Sequence, residues 1–167
     1  ALYATHCAFC HGADGAGDGP DAARFYWAPA NLKRGAFKFR STRASQMPTD
    51  ADLKRILKRG LPGTAMVAQD HLKDAEVEDI LAHVKTLSPK WKEGPGSPIK
   101  LERPDLAKLT PQGADMYAKA GCAQCHGGSG RGGGPSASQL TQDGRPAKPA
   151  DLSKRPFKGG DDPEEIY

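Results

Sequence analysis

One pentapeptide occurs twice in this chain and restricts it more than any other feature. Cys7-Ala8-Phe9-Cys10-His11 and Cys122-Ala123-Gln124-Cys125-His126 contain all four cysteines, and each is followed by a glycine, Gly12 or Gly127. Four cysteines can pair as disulfides in three ways, a CxxC can be a thioredoxin-type redox pair, and two CxxC pairs can share a zinc ion. The two pairs here stand too far apart for ordinary zinc-ribbon spacing, and neither follows a hydrophobic strand. C-x-x-C-H is also the attachment site of c-type haem. Two thiols add across the porphyrin's vinyl groups, and the adjacent imidazole reaches the iron from the same short turn. A histidine in the fifth place of both copies favours this reading.

Composition supports it. Leu, Ile, Val and Phe make up 25 of 167 residues, while Gly and Pro number 20 and 14. That apolar fraction lies below the level at which aliphatic side chains alone build a core. The formal net charge of +4 is too small for the self-repulsion of a disordered chain. A large apolar cofactor would supply the missing core. No window approaches the roughly 20 apolar residues of a membrane span. Nucleic-acid binding is unsupported, because a pI of 8.9 comes without an aromatic-plus-basic motif.

The whole chain is an internal repeat. Cys7, His11, Gly15, Gly17, Gly19 and Pro20 correspond to Cys122, His126, Gly130, Gly132, Gly134 and Pro135. Further on, Ala28-Pro29-Ala30-Asn31-Leu32 corresponds to 148–152 and Phe37-Lys38 to Phe157-Lys158, while upstream Leu2-Tyr3 corresponds to Met116-Tyr117. In the first copy, Thr49 or Asp50 caps a predicted helix 51–58 that Gly60 ends. A second predicted helix, 74–87, lines up Val77, Ile80, Leu81, Val84 and Leu87 on one face. Acidic residues fill its first turn, suiting the helix dipole. The division this predicts is a first domain over 1–90, a Pro/Gly-rich linker over 91–112 and a second domain over 113–167, entered by a short helix 114–120.

This pattern resembles the class I cytochrome c family in its tandem di-haem form. A leading helix enters CxxCH, a Gly-rich loop follows, and Gly63-Thr64-Ala65-Met66 precedes a last amphipathic helix. The resemblance implies an all-α fold of two tandem cytochrome c-like domains, each wrapped around a covalent haem c. It implies haem attachment through Cys7, Cys10, Cys122 and Cys125, with His11 and His126 as iron ligands. It also makes Met66 the sixth ligand of the first haem. Met47 is the alternative methionine, and His71 and His83 are weaker ones. His6 is expected at the surface. The second copy reaches Tyr167 before an equivalent methionine would occur, so the second domain is expected to be incomplete and the chain shortened at both ends. Trp27, Lys38, Arg40 and Lys158 are candidate propionate partners, and the Gly-rich loops are expected to run against the porphyrin edge.

His/Met ligation raises a haem's reduction potential and fills both axial positions. The expected function is therefore an electron carrier without catalytic residues, relaying single electrons between a respiratory dehydrogenase or quinol-oxidising complex and a terminal acceptor. Its expected partners are redox proteins, or a larger respiratory complex, outside the cytoplasm. The alternative is a di-haem peroxidase-type enzyme working at an open second haem. Between Lys33 and Arg59 nine basic residues face two acids, a segment that could dock an acidic partner.

Overall fold

A computed structural model describes residues 1–102, 105–142 and 145–166. These form two units, one of Ala1–Lys100 with Lys158–Tyr167, the other of Leu101–Phe157. The class is all-α, as expected. Among the described residues the one ladder pairs β1 (Thr141–Gln142) with β2 (Arg145–Pro146), antiparallel, in the second unit.

The first unit begins with α1 (Leu2–His6) and α2 (Ala8–His11), separated at Cys7. Two longer helices follow, α3 (Asp50–Arg59) and α4 (Asp74–Thr86), within a residue or so of their predicted spans. Both α1 and α3 pack on α4. The core joins Tyr3 of α1, Leu53 and Leu57 of α3, Leu72, and Val77, Ile80, Leu81 and Val84 of α4. Four of the five residues on the predicted apolar face are thus buried, and Leu87, just past the helix, packs at the margin. Cys7, Ala8, Leu32 and Met66 border the same core. Among the described residues eight buried side chains make a small core, which agrees with the aliphatic deficit of the sequence.

Helix α3 begins at a reciprocal cap. The Thr49 hydroxyl accepts from the Asp52 backbone N–H at 3.1 Å, and the Asp52 carboxylate accepts from the Thr49 N–H at 2.9 Å. The hydroxyls of Ser41 and Thr49 also donate to Asp52 Oδ2, each at 2.9 Å. Burial alone would raise the Asp52 pKa, but these hydrogen bonds together hold it below the usual carboxylate value. The folded state therefore binds this proton less readily than the unfolded chain. The stability gained is complete above about pH 4 and drains away as pH falls through the lowered pKa. Asp52→Asn should cost about 1–2 kcal/mol at neutral pH. It should also flatten the acid limb of a denaturation-midpoint series taken from pH 5 to pH 2; an unchanged limb would show that Asp52 is not the titrating group.

The compact units divide the chain at other positions than the predicted domains. Residues 91–100 pack with the first unit. After a 3-10 turn at Pro89–Glu93, the Gly96 N–H donates to the Met47 carbonyl at 2.9 Å and the Ile99 N–H to the Ser41 carbonyl at 2.8 Å. Prolines here cannot donate, but the alternate residues can, so a Pro-rich stretch still forms single bridges. In the second unit, α5 (Leu106–Lys119) starts well before the predicted 114. Pro111 lies inside it and removes one helical hydrogen bond without ending the helix.

The last predicted piece of the second domain belongs to the first unit as well. There α7 (Pro163–Ile166) places Glu165 Oε1 at 3.2 Å from Arg55 Nη1 and 2.7 Å from Arg59 Nη1. Lys158 Nζ lies 3.5 Å from the Trp27 ring centre, and burial, then the neighbouring Lys38 charge, lowers its pKa.

Candidate functional site

In both units the CxxCH turn is a single helical turn, α2 in the first and α6 (Ala123–His126) in the second. Each ends at a glycine in a left-handed, extended conformation, φ +82° at Gly12 and +72° at Gly127. All four cysteines are free thiols and half-buried. Burial, then the Cys10 charge, pushes the Cys7 thiol up to about 11, and burial, then Asp21, raises Cys10.

The two turns are held by the same set of hydrogen bonds. His11 Nδ1 lies 3.0 Å from the Ala30 carbonyl, and His126 Nδ1 2.9 Å from the Ala150 carbonyl. A carbonyl only accepts, so Nδ1 carries the proton and Nε2 keeps its lone pair. Burial lowers the His11 pKa, partly offset by the Ala30 bond. The imidazole is therefore held neutral, the state a metal requires. Behind each turn the Gly-rich loop folds back. Gly17 and Gly132 donate to the carbonyls of His11 and His126, both at 2.8 Å, and Gly19 and Gly134 to those of Cys10 and Cys125, both at 3.1 Å. A Cβ at Gly19 would collide with the Ala8 and Phe9 carbonyls, and one at Gly134 with those of Ala123 and Gln124. The expected reason for these glycines was approach to the porphyrin edge. The contact they make is with the backbone of the CxxCH turn itself.

A second pair of contacts escaped the sequence reading. The Tyr3 hydroxyl donates to the Gly12 carbonyl at 2.9 Å, and the Tyr117 hydroxyl to the Gly127 carbonyl at 2.7 Å. Each tyrosine thus ties the leading helix to the residue just after the site histidine. Burial, then Cys7 and two aspartates, pushes the Tyr3 pKa up to about 12, and burial, then Cys122, raises Tyr117. The Tyr3/Tyr117 correspondence was the available signal; only geometry shows the bond. Tyr3→Phe should cost about 1–2 kcal/mol in the first unit, since the Gly12 carbonyl loses its partner in a buried place. Tyr117→Phe, in a more open unit, should cost less. Chemical denaturation of the two variants side by side would expose an inverted order.

Met66 stands in a tightly cross-braced loop. Leu61 N–H donates to the Met66 carbonyl at 2.9 Å, and Met66 N–H to the Thr64 hydroxyl at 3.1 Å. Gly60, at φ +66°, lets the loop pass so closely that a Cβ there would strike the Met66 carbonyl. The Met66 side chain is half-buried against the core that Cys7 also borders. Met47 is buried outside that cluster, and its carbonyl accepts from Thr42 Oγ1 and Gly96 N–H. His71 and His83 are both exposed, the latter against the Tyr3 ring at 4.6 Å. His6 is half-buried rather than fully at the surface.

The basic segment is largely neutralised within the unit. Lys33 pairs with Asp14 at 2.6 Å, Lys54 with Glu78, Lys58 with Asp74 at 3.3 Å, and Arg55 and Arg59 with Glu165. Arg40 spends its donors on the Arg43 and Ala44 carbonyls. The local excess of +7 read from the sequence is therefore not a bare docking patch.

The donor set suits a covalently held porphyrin: two free thiols on one helical turn, and a neutral imidazole with one nitrogen open. The first unit adds a thioether on the same core. The chain matches the cytochrome c family over residues 1–88. A solved chain of the Kuenenia stuttgartiensis reducing HAO-like protein complex is similar over 99% of this chain and 77% of that one, with a TM-score of 0.90 and 34% sequence identity. No curated protein sequence shows significant similarity. Among the described residues no helix is long and apolar enough to cross a membrane.

Proposed function

Because the chain belongs to the cytochrome c family, we propose that it is a di-haem electron-transfer protein. Family membership itself implies covalently bound haem c. When bound, this group supplies a one-electron iron couple. The observation that carries the two-haem reading is the duplicated network: five equivalent hydrogen bonds brace each CxxCH turn, from His11 or His126, the two loop glycines, the tyrosine, and Leu32 or Leu152 donating to Gly15 or Gly130 at 2.7 Å.

In this reading Cys7 and Cys10 anchor one group and Cys122 and Cys125 the other. His11 and His126 offer Nε2, with Nδ1–H fixed on a backbone carbonyl, a bond that holds the ring orientation and raises its basicity as a ligand. Met66 offers a thioether to the first group. A soft sulfur donor on an apolar core disfavours the more highly charged ferric state, and so favours a higher potential. With His11 and Met66 both bound, the first group would have no open position, which favours an electron carrier over a peroxidase.

The similar solved chain comes from a protein complex, so we further propose that this chain works as a subunit of, or donor to, a larger redox assembly outside the cytoplasm. A reductive titration of the protein matured by a c-type assembly system tests the core of the proposal. Two electrons per chain are expected, with no turnover of hydrogen peroxide. One electron per chain would end the di-haem reading, and peroxide turnover would favour the enzyme.

A further inference from the structure

Two histidines outside the haem ligand sets face each other on the first unit. His6 closes α1, and His71 stands in the turn between the Met66 loop and α4. Their ring centres are 5.8 Å apart and the planes are inclined by 52°. His71 is exposed and His6 half-buried, and among the described residues neither ring has a hydrogen-bond or ion-pair partner. The pair is thus reachable, and its ring nitrogens are uncommitted.

We propose that His6 and His71 chelate a divalent first-row transition ion, separate from either haem. An ion held by a ring nitrogen at about 2.0–2.1 Å lies roughly 3 Å from that ring's centre, so two rings sharing it have centres roughly 4.5–6 Å apart. The observed spacing falls in that range without backbone movement. Imidazole nitrogen selects zinc, nickel and copper over magnesium or calcium, and copper(II) binds such donors most tightly. Among the described residues no third His, Cys or carboxylate completes a cluster, so water fills the remaining positions. The two residues are far apart in sequence and meet only in the folded unit. Binding therefore favours the folded state and links the residue before Cys7 to the segment after Met66.

Copper(II) added to the oxidised holoprotein is the probe, followed by calorimetry and by electron paramagnetic resonance. One ion per chain with two equatorial nitrogens is expected. His71→Gln and His6→Gln should each loosen it roughly tenfold or more, because each destroys the chelate. The double variant should lose less than the sum of the two single losses, because either substitution already breaks the chelate, and His83→Gln should bind as the parent does. The haem absorption spectrum of each variant shows that the unit is still folded. A single-nitrogen signature, undiminished affinity in His71→Gln, or a loss in His83→Gln would each overturn the proposal.

Discussion

With Cys122 and Cys125 both replaced by alanine, the protein is expected to carry one haem per chain instead of two, with the absorption spectrum of the first site unchanged. The two CxxCH turns lie in different units, and the bonds described for each come from its own unit. Nothing in the bracing of the first turn depends on the second pair of thiols. The second unit should respond much more strongly. Cys122 and Cys125 border a turn whose neighbours are mostly Gly, Ser and Gln, and among the described residues between 105 and 142 only Gly130 is fully buried. Without a porphyrin to pack against, that unit has little apolar surface to bury. Hydrogen exchange should therefore show protection lost across 105–142 while α3 and α4 stay protected. Two haems in the variant, measured as the pyridine haemochrome, would refute the assignment of the second site. Loss of both would show that the first cannot mature alone.

Met66→Ala has the second large expected effect. Among the described residues the thioether is the one soft donor other than the Cys7 thiol that borders the core, and the loop bearing it is fixed by Gly60, Leu61 and Thr64. Removing it should open the distal position of the first haem, convert that haem to high spin, and admit carbon monoxide to the ferrous form. The reduction potential should fall on the order of 100 mV, because axial-ligand identity is a principal lever on haem potential. Met47→Ala should leave spectrum and potential as they were. An unchanged spectrum in Met66→Ala, with a changed one in Met47→Ala, would transfer the role to Met47.

The short-range physics is legible in the sequence. Thr49, Gly60 and the acidic first turn of α4 announced two helices by capping chemistry, and the 3.6-residue spacing of Val77, Ile80, Leu81 and Val84 announced the core face. The repeat placed both CxxCH turns and the segments that carry Ala30 and Ala150. What sequence could not show was which backbone carbonyl each histidine meets, since any residue has one. Nor could it show that Arg55 and Arg59 spend their charge on Glu165, more than a hundred positions away. A charge sum along the chain counts those arginines as available to a partner; in three dimensions they are already occupied. Pro111 misled because a proline removes one hydrogen bond and crowds the preceding turn, which can kink a helix without ending it.

Lys158 and α7 return to the first unit, so Leu101–Phe157 lies between two parts of that unit along the chain. Docking the tail therefore closes a loop whose entropy depends on the state of the insert. Were the insert unfolded, closing roughly 60 flexible residues would cost about 3–4 kcal/mol before any chain-stiffness constant. The grip of Arg55 and Arg59 on Glu165 would have to meet that cost, and a partly exposed ion pair cannot. Loss of the second haem should then release a tail that lies beside Trp27 and α3. Chain connectivity alone would then let the docking of 158–166 report whether the segment 101–157 is folded.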